Sequence, residues 1–255
     1  MSEPLLIITA VKNDPTGLKR TLHSLHPLNG NFHHVIIEKG DACQEIAEMW
    51  RANSPGQIRY IQSSDTGVYS AFNFAIQMET NFSYVYFLNA GDELLDEDGI
   101  LEIVDLMKTS DSMWGYADLI ISDENNKWSH VYQITPFNKF LFALGIKVIQ
   151  QQATVYCVEA LRKIGGFDET RKISADMLAH LRLLKIGKPV FVPKVVSQFY
   201  SGGLSTRSRK EHSKDWNQIL KDEKIWYAFP VRIFAPIVTL IWSLRLRRKG
   251  KGTYA

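Results

Sequence analysis

The sequence has few cysteines and little net charge. Only two cysteines occur among 255 residues, Cys43 and Cys157, and they lie far apart without the spacing of metal ligands. This usage argues against a disulfide scaffold and indicates a reducing compartment. The formal net charge of +3 is small, so overall charge gives no reason to expect a nucleic acid as partner.

We expect no signal peptide, and no internal repeat or low-complexity segment is visible in the sequence. Its N-terminus, MSEPLLIITAV, has no basic leader, and the apolar run is too short for a secretory signal. We therefore expect a cytoplasmic protein. Apolar residues are present in ordinary amount, 45% of the sequence, which supplies the core of one large domain or two small ones.

Short apolar runs alternate with helical patterns in the first part of the chain. Strands are predicted at 5–11, 35–38, 58–62 and 84–88, and helices at 18–25, 41–52, 68–78 and 100–107. This alternation predicts an α/β fold, with a mainly parallel sheet flanked by helices. Such sheets bind ligands at the carboxyl ends of their strands.

A carboxylate follows the predicted strand at 84–88, where the sequence reads FLNAGDEL. Asp92 is thus expected at the ligand-binding edge of the sheet. Other polar residues end or follow strands on the same side: Thr9, Asn13, Glu38 and Asp65. Several acids at one edge indicate a divalent cation or a polar ligand, because Mg²⁺ and Mn²⁺ prefer oxygen ligands. An ordinary turn is the alternative, since Asn-Ala-Gly-Asp is common turn chemistry. The acidic neighbours of Asp92 are interpreted as a helix start: Glu93, Asp96 and Asp98.

Six motifs occur in an order that resembles family 2 glycosyltransferases, which are sugar-nucleotide-dependent enzymes with a GT-A fold. They are ITAVKND, VIIEKGD, SSDTGVYSAFNFAI, FLNAGDEL, QQATVYCVEALRKIGGFDE and KISADMLAHLRLLKIGKP. A further motif, GGLST, recurs in the exopolysaccharide, colanic-acid-type branch. The resemblance covers roughly residues 4–205. It implies a GT-A domain at 1–205, with a donor half at about 1–110 and an acceptor half at about 111–205, before a helical, basic tail at 206–255.

The resemblance implies an inverting, metal-dependent enzyme of the hexosyltransferase type. Asp92 would bind the Mg²⁺ or Mn²⁺ that bridges the donor diphosphate. The residues that the resemblance implies for donor binding are Thr9, Asn13, Glu38, Asp65, Gly67, Asn73 and Asn89. Glu38 stands where the family usually carries Asp, and a solvated strand end is its alternative reading. Asp65 has a second possible role as N-cap of the helix that starts near Gly67.

Asp176 is the catalytic base that the resemblance implies. It matches the acid of the family's Glu-Asp signature, although Ala175 replaces the glutamate. An inverting transfer needs a base that takes the proton of the acceptor hydroxyl as its oxygen attacks the anomeric carbon. Ser174 is a candidate N-cap, which puts Asp176 in a first helical turn, where acids are also common without any function.

Gln152 and Gly166 are implied on the acceptor or diphosphate side. Gln151 stands where relatives often carry histidine, and a glutamine is neither an acid nor a base near neutral pH. This substitution leaves Asp176 as the main candidate for the base. Tyr69 has two open readings, packing against the sugar or filling the core.

The C-terminal segment is apolar and aromatic, and then basic. Residues 225–244 read IWYAFPVRIFAPIVTLIWSL, and RLRRKGK follows. The uninterrupted apolar part, 237–244, is too short to span a bilayer. Aromatic rings favour the headgroup boundary, and basic residues are attracted to an anionic leaflet. We therefore predict that residues 225–251 form an amphipathic helical anchor on an anionic membrane surface. A helix docked on the core, with a solvated basic tail, is the alternative.

These features predict a cytoplasmic, peripheral-membrane glycosyltransferase. The donor would be a UDP- or GDP-sugar, and the acceptor a hydroxyl of a lipid-linked glycan in bacterial exopolysaccharide, capsule or lipopolysaccharide assembly; the biosynthetic setting comes from the resemblance alone. A nucleotidyltransferase would show a glycine-rich, basic phosphate loop, which ITAVKNDPTG does not match. A non-catalytic, membrane-docked partner of another glycosyltransferase is the remaining alternative, supported by Gln151 and Glu38.

Overall fold

A computed structural model describes residues 4–25, 32–53, 58–64, 67–123, 127–133, 137–145, 147–171, 173–201 and 209–225. The chain divides into two units. The larger unit comprises residues 1–135 and 149–208, and the smaller one comprises residues 136–148 and 209–255. All strands in the described ranges belong to the larger unit.

The first half of the larger unit is a series of strand–helix repeats. Its strands are β1 (Leu5–Val11), β2 (Phe32–Glu38), β3 (Ile58–Gln62) and β4 (Tyr84–Phe87). Helices α1 (Pro15–Ser24), α2 (Gln44–Asn53) and α3 (Val68–Met78) connect them. The strands pair in parallel in the order β3-β2-β1-β4. Their carboxyl ends therefore form one edge of the sheet, here called the site edge, as the alternation predicted.

The second half of the sheet is mixed. Its strands are β5 (Glu93–Leu94), β6 (Trp114–Asp123), β7 (Ser129–Tyr132), β8 (Thr154–Cys157) and β9 (Val190–Ser201). Strand β8 pairs antiparallel with both β4 and β6, and β9 runs parallel to β6. Strands β5 and β7 pair antiparallel with β9 and β6. Helices α4 (Glu97–Ser110), α6 (Val158–Lys163) and α7 (Ala175–Ile186) accompany them.

Both faces of the parallel half are covered, which explains its continuous apolar strands. On one face Leu5 and Ile7 join a core cluster that includes Leu18 of α1. On the other face lies an aromatic cluster, in which Phe87 of β4 lies 4.3 Å from Phe72 between ring centroids. Phe87 also meets Phe167 edge-on at 5.3 Å. This second cluster packs α3 and the loop after α6 beside the site edge.

The acids after Asp92 divide between a strand and a helix. The Asp96 carboxylate caps α4 by accepting the N–H of Gly99 at 3.0 Å, and Asp98 lies in the first turn. The predicted helix start is therefore confirmed for these two acids. Glu93 was placed wrongly: it lies in β5, where its carboxylate accepts the Tyr200 hydroxyl at 2.9 Å.

The smaller unit contains α5 (Lys139–Ala143) and α8 (Arg209–Asp222). The buried Trp216 of α8 donates its indole N–H to the Ala143 carbonyl at 3.0 Å and meets Phe142 edge-on. Of the predicted membrane anchor at 225–251, only Ile225 lies inside the described ranges. In the part of the chain that the structure describes, no helix is both long and apolar enough to cross a membrane.

Candidate functional site

The turn that follows β4 is tied to α1 through one threonine. The hydroxyl oxygen of Thr21 lies 3.1 Å and 2.7 Å from the carbonyl oxygens of Asn89 and Asp92. It also accepts the N–H of Gly91 at 3.0 Å. Gly91 has a φ of +99°, a conformation that favours glycine. The position of the Asp92 backbone is therefore set by a buried residue of α1.

The Asp92 side chain is buried, with 5% of its surface exposed. Burial raises the pKa of this carboxyl to about 7. Hydrogen bonds from the Tyr200 backbone and the Gln152 side chain, and the charge of Arg20, act in the opposite direction and lower the pKa. The protein therefore compensates the Asp92 charge only in part. A carboxylate in this condition gains from a nearby cation, which favours its ionised form.

Two amides complete the polar cluster at the end of β4. The Asn89 amide donates to the Gln151 side chain at 3.4 Å, and the Gln151 amide donates to the Phe87 carbonyl at 2.5 Å. The Oδ1 atom of Asn89 is buried and has no hydrogen-bond partner. The structure thus brings the predicted residues Asn89, Asp92 and Gln152 together, and it gives Gln151 a structural contact.

An arginine and a tyrosine join this cluster from the flanking elements. The Arg20 guanidinium carbon lies 4.4 Å from the centre of the Tyr200 ring, and Nη1 lies 3.5 Å from the Gly91 carbonyl oxygen. Because Tyr200 also donates to Glu93, the end of β9 is fastened beside Asp92. Neither Arg20 nor Tyr200 was identified from the sequence.

Glu38 ends β2 at the site edge, and Thr9 lies two residues before the end of β1, but both side chains are fully buried. The Thr9 hydroxyl lies 2.8 Å from Nε2 of His34. The Glu38 carboxylate accepts the Tyr60 hydroxyl at 2.6 Å and the Cys43 backbone N–H at 3.1 Å. The partner of Glu38 is therefore internal, and contact of either residue with a nucleoside stays a prediction.

Asn13 and Gly67 lie on the surface at the same edge. Asn13 has a φ of +47°, and its amide packs so closely on Gly40 that an added Cβ there would collide with it. Gly67 is the N-cap of α3, and its N–H lies 3.3 Å from the Ser70 hydroxyl. Asp65 and its two predicted roles lie outside the described residues.

Asp176 lies in the first turn of α7 and is partly buried. The Tyr69 hydroxyl of α3 donates to its Oδ1 at 3.2 Å and lies 3.3 Å from the Ile173 carbonyl oxygen. Ser174 is the N-cap residue, as predicted, but its hydroxyl makes no capping hydrogen bond. The predicted base therefore meets α3 at the site edge.

Asn73 holds the loop that follows α6. Its amide donates to the Phe167 carbonyl at 2.8 Å and to the Glu169 carboxylate at 2.7 Å, and its Oδ1 accepts the Phe167 N–H at 2.9 Å. Gly166, with a φ of +73°, lies against this amide, where a Cβ would come within 2.5 Å of Oδ1. The structure thus brings Asn73 and Gly166 together, and contact of either with a substrate stays a prediction.

Residues 6–165 match the sequence profile of glycosyl transferase family 2. The chain belongs to this family. An uncharacterized glycosyltransferase of Mycobacterium tuberculosis is 26% identical over 205 residues, which cover 78% of this chain and 76% of the relative. A PGL/p-HBAD biosynthesis glycosyltransferase of Mycobacterium bovis is 26% identical over 186 residues, which cover 69% of this chain and 68% of that relative.

Solved structures confirm the GT-A fold of this family 2 glycosyltransferase. The mannosyltransferase PcManGT of Pyrobaculum calidifontis, in complex with GDP-Man and Mn²⁺, superposes with a TM-score of 0.64 at 13% identity, covering 98% of this chain and 76% of that one. Residues 1–349 of S. aureus TarS, in complex with UDP, give a TM-score of 0.62 at 14% identity. This match covers 78% of this chain and 61% of the TarS fragment. This chain thus spans less than two thirds of that TarS fragment. At these identities the likeness shows the fold alone.

The chemistry around Asp92 fits a hard divalent cation. Within the described ranges, no group of three or more His, Cys, Asp or Glu side chains could hold a metal ion. Mg²⁺ sites need fewer protein ligands, because one or two carboxylates and the substrate phosphates complete the coordination. In this glycosyltransferase Asp92 offers the carboxylate, and the unpartnered Oδ1 of Asn89 offers a second oxygen.

Proposed function

We propose that this family 2 glycosyltransferase moves a sugar from a UDP- or GDP-sugar to an acceptor hydroxyl, with inversion and with Mg²⁺ or Mn²⁺. One observation carries the proposal: a buried, partly compensated carboxylate stands in a tight turn at the carboxyl end of a central strand. Ligands of open α/β sheets bind at that position.

The donor is assigned to the site edge. The structural neighbours in complex with UDP, or with GDP-Man and Mn²⁺, support a nucleotide-sugar donor and a divalent cation. Asp92 and Asn89 would hold the cation, which when bound supplies Lewis-acid stabilisation of charge on a departing diphosphate. Of the other donor residues, Asn13 and Gly67 are exposed and can contact a ligand directly, whereas Thr9 and Glu38 lie buried beneath the edge.

Asp176 is assigned the role of general base. As the acceptor oxygen forms its bond to the anomeric carbon, the hydroxyl proton passes to the Asp176 carboxylate and the nucleotide diphosphate leaves. The first turn of α7 stabilises the ionised form of Asp176 before the reaction. We assign Gln152 and Gly166 to the acceptor or diphosphate side, since Gln152 hydrogen-bonds Asp92 and Gly166 lies in the loop that Asn73 holds.

The acceptor is assigned as a lipid-linked glycan in bacterial surface polysaccharide assembly. The support is the composition of residues 225–251, in which aromatic and apolar residues precede a basic cluster. Such a segment favours the headgroup region of an anionic membrane. The active site would then work at the inner face of the cell membrane, close to a lipid-anchored substrate.

A transfer assay tests the enzyme assignment. The full chain is incubated with Mn²⁺, a glycolipid extract of the source cells and, in turn, radiolabelled UDP-glucose, UDP-galactose, UDP-N-acetylglucosamine and GDP-mannose. We expect label in the lipid fraction from at least one donor in the wild type and in Asp105→Asn, which changes an exposed acid of α4. Nucleotide binding without transfer from any donor would support a non-catalytic partner instead.

Flotation with vesicles tests the membrane assignment separately. Vesicles of phosphatidylethanolamine and phosphatidylglycerol should carry the full chain, and a chain that ends at residue 225 should stay behind. Equal flotation of the two proteins would remove residues 226–255 as the anchor and leave the transfer chemistry unaffected.

A further inference from the structure

Two side chains on α3 face the same region of the acceptor half. Tyr69 and Asn73 are four residues apart, so they lie one above the other on the helix. Tyr69 contacts Asp176, and Asn73 clamps the loop at Phe167. The Tyr69 ring stacks on Phe167, with ring centroids 5.5 Å apart and planes at 25°. One face of α3 therefore touches both the assigned base and the loop beside it.

We propose that Tyr69 is a positioning residue for Asp176, and that Asn73 supports it by fixing the loop on which the Tyr69 ring stacks. The inference rests on the role of Asp176 in the proposed function. The Tyr69 hydroxyl sets the orientation and the ionisation of the Asp176 carboxylate. It does not itself exchange a proton with the substrate.

The start of α7 is in contact with the Tyr69 hydroxyl. The Ser174 hydroxyl makes no capping hydrogen bond, and its oxygen is buried without a partner. The Tyr69 hydroxyl instead lies within hydrogen-bond distance of both the Ile173 carbonyl and the Asp176 carboxylate. One hydroxyl from α3 therefore contacts the first turn of α7, in which the base lies.

Tyr69, Tyr156 and His180, three ionisable groups on this side of α7, remain neutral. Desolvation, with the nearby Asp176 charge as the next cause, raises the pKa values of Tyr69 and Tyr156 well above their usual range. His180 lies one turn further along α7, and its Nε2 atom is 2.7 Å from the Tyr156 hydroxyl oxygen. Burial lowers the pKa of His180 to about 3. The Tyr69 hydroxyl thus remains a protonated donor, and a donor to a carboxylate favours its ionised form.

A titration without substrate tests the contact. Asp side chains are labelled with ¹³C at the carboxyl carbon, the Asp176 signal is assigned from Asp176→Asn, and its pKa is measured by NMR. In Tyr69→Phe, which keeps the ring stack, we expect the pKa of Asp176 to rise by about one unit. Tyr116→Phe is the matched control, because it removes a buried hydroxyl that has no hydrogen-bond partner. An unchanged Asp176 pKa in Tyr69→Phe would overturn the proposal.

A pH–rate profile tests the consequence. The reaction is hydrolysis of the UDP- or GDP-sugar that the wild type cleaves fastest, with water as the acceptor. In Tyr69→Phe the acidic limb of kcat/KM, which reports the free enzyme, should move to higher pH by the NMR shift, and kcat at its plateau should fall about tenfold with donor KM unchanged. A wild-type profile in Tyr69→Phe would contradict the positioning role. If Asp176→Asn retained full activity, the proposed base would be wrong, whereas the NMR result would still report the Tyr69 contact.

Discussion

The two carboxylates assigned to the reaction are held in opposite ways. Asp92 is buried in a turn that Thr21 fastens, and burial raises its pKa to about 7. Asp176 is partly exposed in the first turn of a helix and accepts a hydrogen bond from Tyr69. A rigid, desolvated carboxylate suits a permanent ligand of a cation. A carboxylate with access to solvent suits a base that must gain and lose a proton in each cycle.

Removing the base should have the largest effect and should separate the two sites. In Asp176→Asn the side chain keeps its size but accepts no proton, so we expect kcat to fall about 10²–10⁴-fold. Donor binding, assigned to the Asp92 region, should be unchanged. Parallel measurement of transfer rate and of thermal stabilisation by the donor checks both statements. A fall in donor binding as large as that in kcat would contradict the separation.

Two buried histidines should each make the folded state less stable in acid. Burial lowers the pKa of His34 and of His180 to about 3, and for His34 the charge of His33 adds to the effect. The unfolded chain binds these protons near pH 6.5, and the folded chain does not. The contribution of these two histidines to the free energy of unfolding is therefore fully present above pH 6.5. It is lost as the pH falls toward 3, by up to about 1.4 kcal/mol per pH unit for each histidine.

Urea unfolding at pH 7, 6, 5 and 4 measures this loss. His180→Gln should reduce the slope of the unfolding free energy against pH. His130→Gln, at an exposed position of β7, should leave that slope unchanged. Equal slopes in the wild type and in His180→Gln would contradict the buried, neutral state of His180.

Loosening the turn should affect the Asp92 side alone. Thr21→Val keeps the shape of the side chain and removes its contacts with the turn, so we expect a loss of about 2–3 kcal/mol in the free energy of unfolding. Thr109→Val is the control, because the Thr109 hydroxyl is exposed and bonds only within its own helix. Equal urea midpoints for the two variants would show that Thr21 does not fasten the turn.

Loosening the loop should give the smallest effect, on the Asp176 side. Asn73→Ala should cost about 1–2 kcal/mol in unfolding free energy, because two of its partners are main-chain groups of a partly exposed loop. Asn53→Ala removes an exposed amide at the end of α2 and is the control. In the double variant Thr21→Val/Asn73→Ala, the loss in unfolding free energy should equal the sum of the two single losses within about 0.5 kcal/mol. A larger deviation would mean that the two regions are coupled.

The parallel half of the fold was predictable because its signals are local. The bounds of β1, β3 and α3 agree with the predicted ones, since apolar runs there end at polar or glycine-containing turns. The place of Asp92 followed from the same rule. The pairing of β6 with β9 was not predicted, because strands so far apart in the chain are matched by packing and not by any neighbouring turn.

The partners of the site residues were also beyond local signals. Thr21 reaches a turn about seventy residues away, and Tyr69 reaches a helix more than a hundred residues away. One signal could have indicated Thr21: a hydroxyl on the apolar side of α1, between Leu18 and Leu22, must find a hydrogen-bond partner when buried. For Tyr69 the sequence left two readings open. The structure shows an aromatic packing contact, with the hydroxyl directed at Asp176.

The most direct test of the account is thermal stabilisation by UDP, GDP and their common sugars, with and without Mn²⁺, in the wild type and in Asp92→Asn. A ligand at about one hundred times its Kd adds about 2.7 kcal/mol to the stability of the folded state, which a melting curve detects. We predict a Mn²⁺-dependent shift with one nucleotide in the wild type, and loss of the Mn²⁺-dependent part in Asp92→Asn. A shift of equal size and metal dependence in both proteins would show that Asp92 holds no cation and is only a residue of the turn.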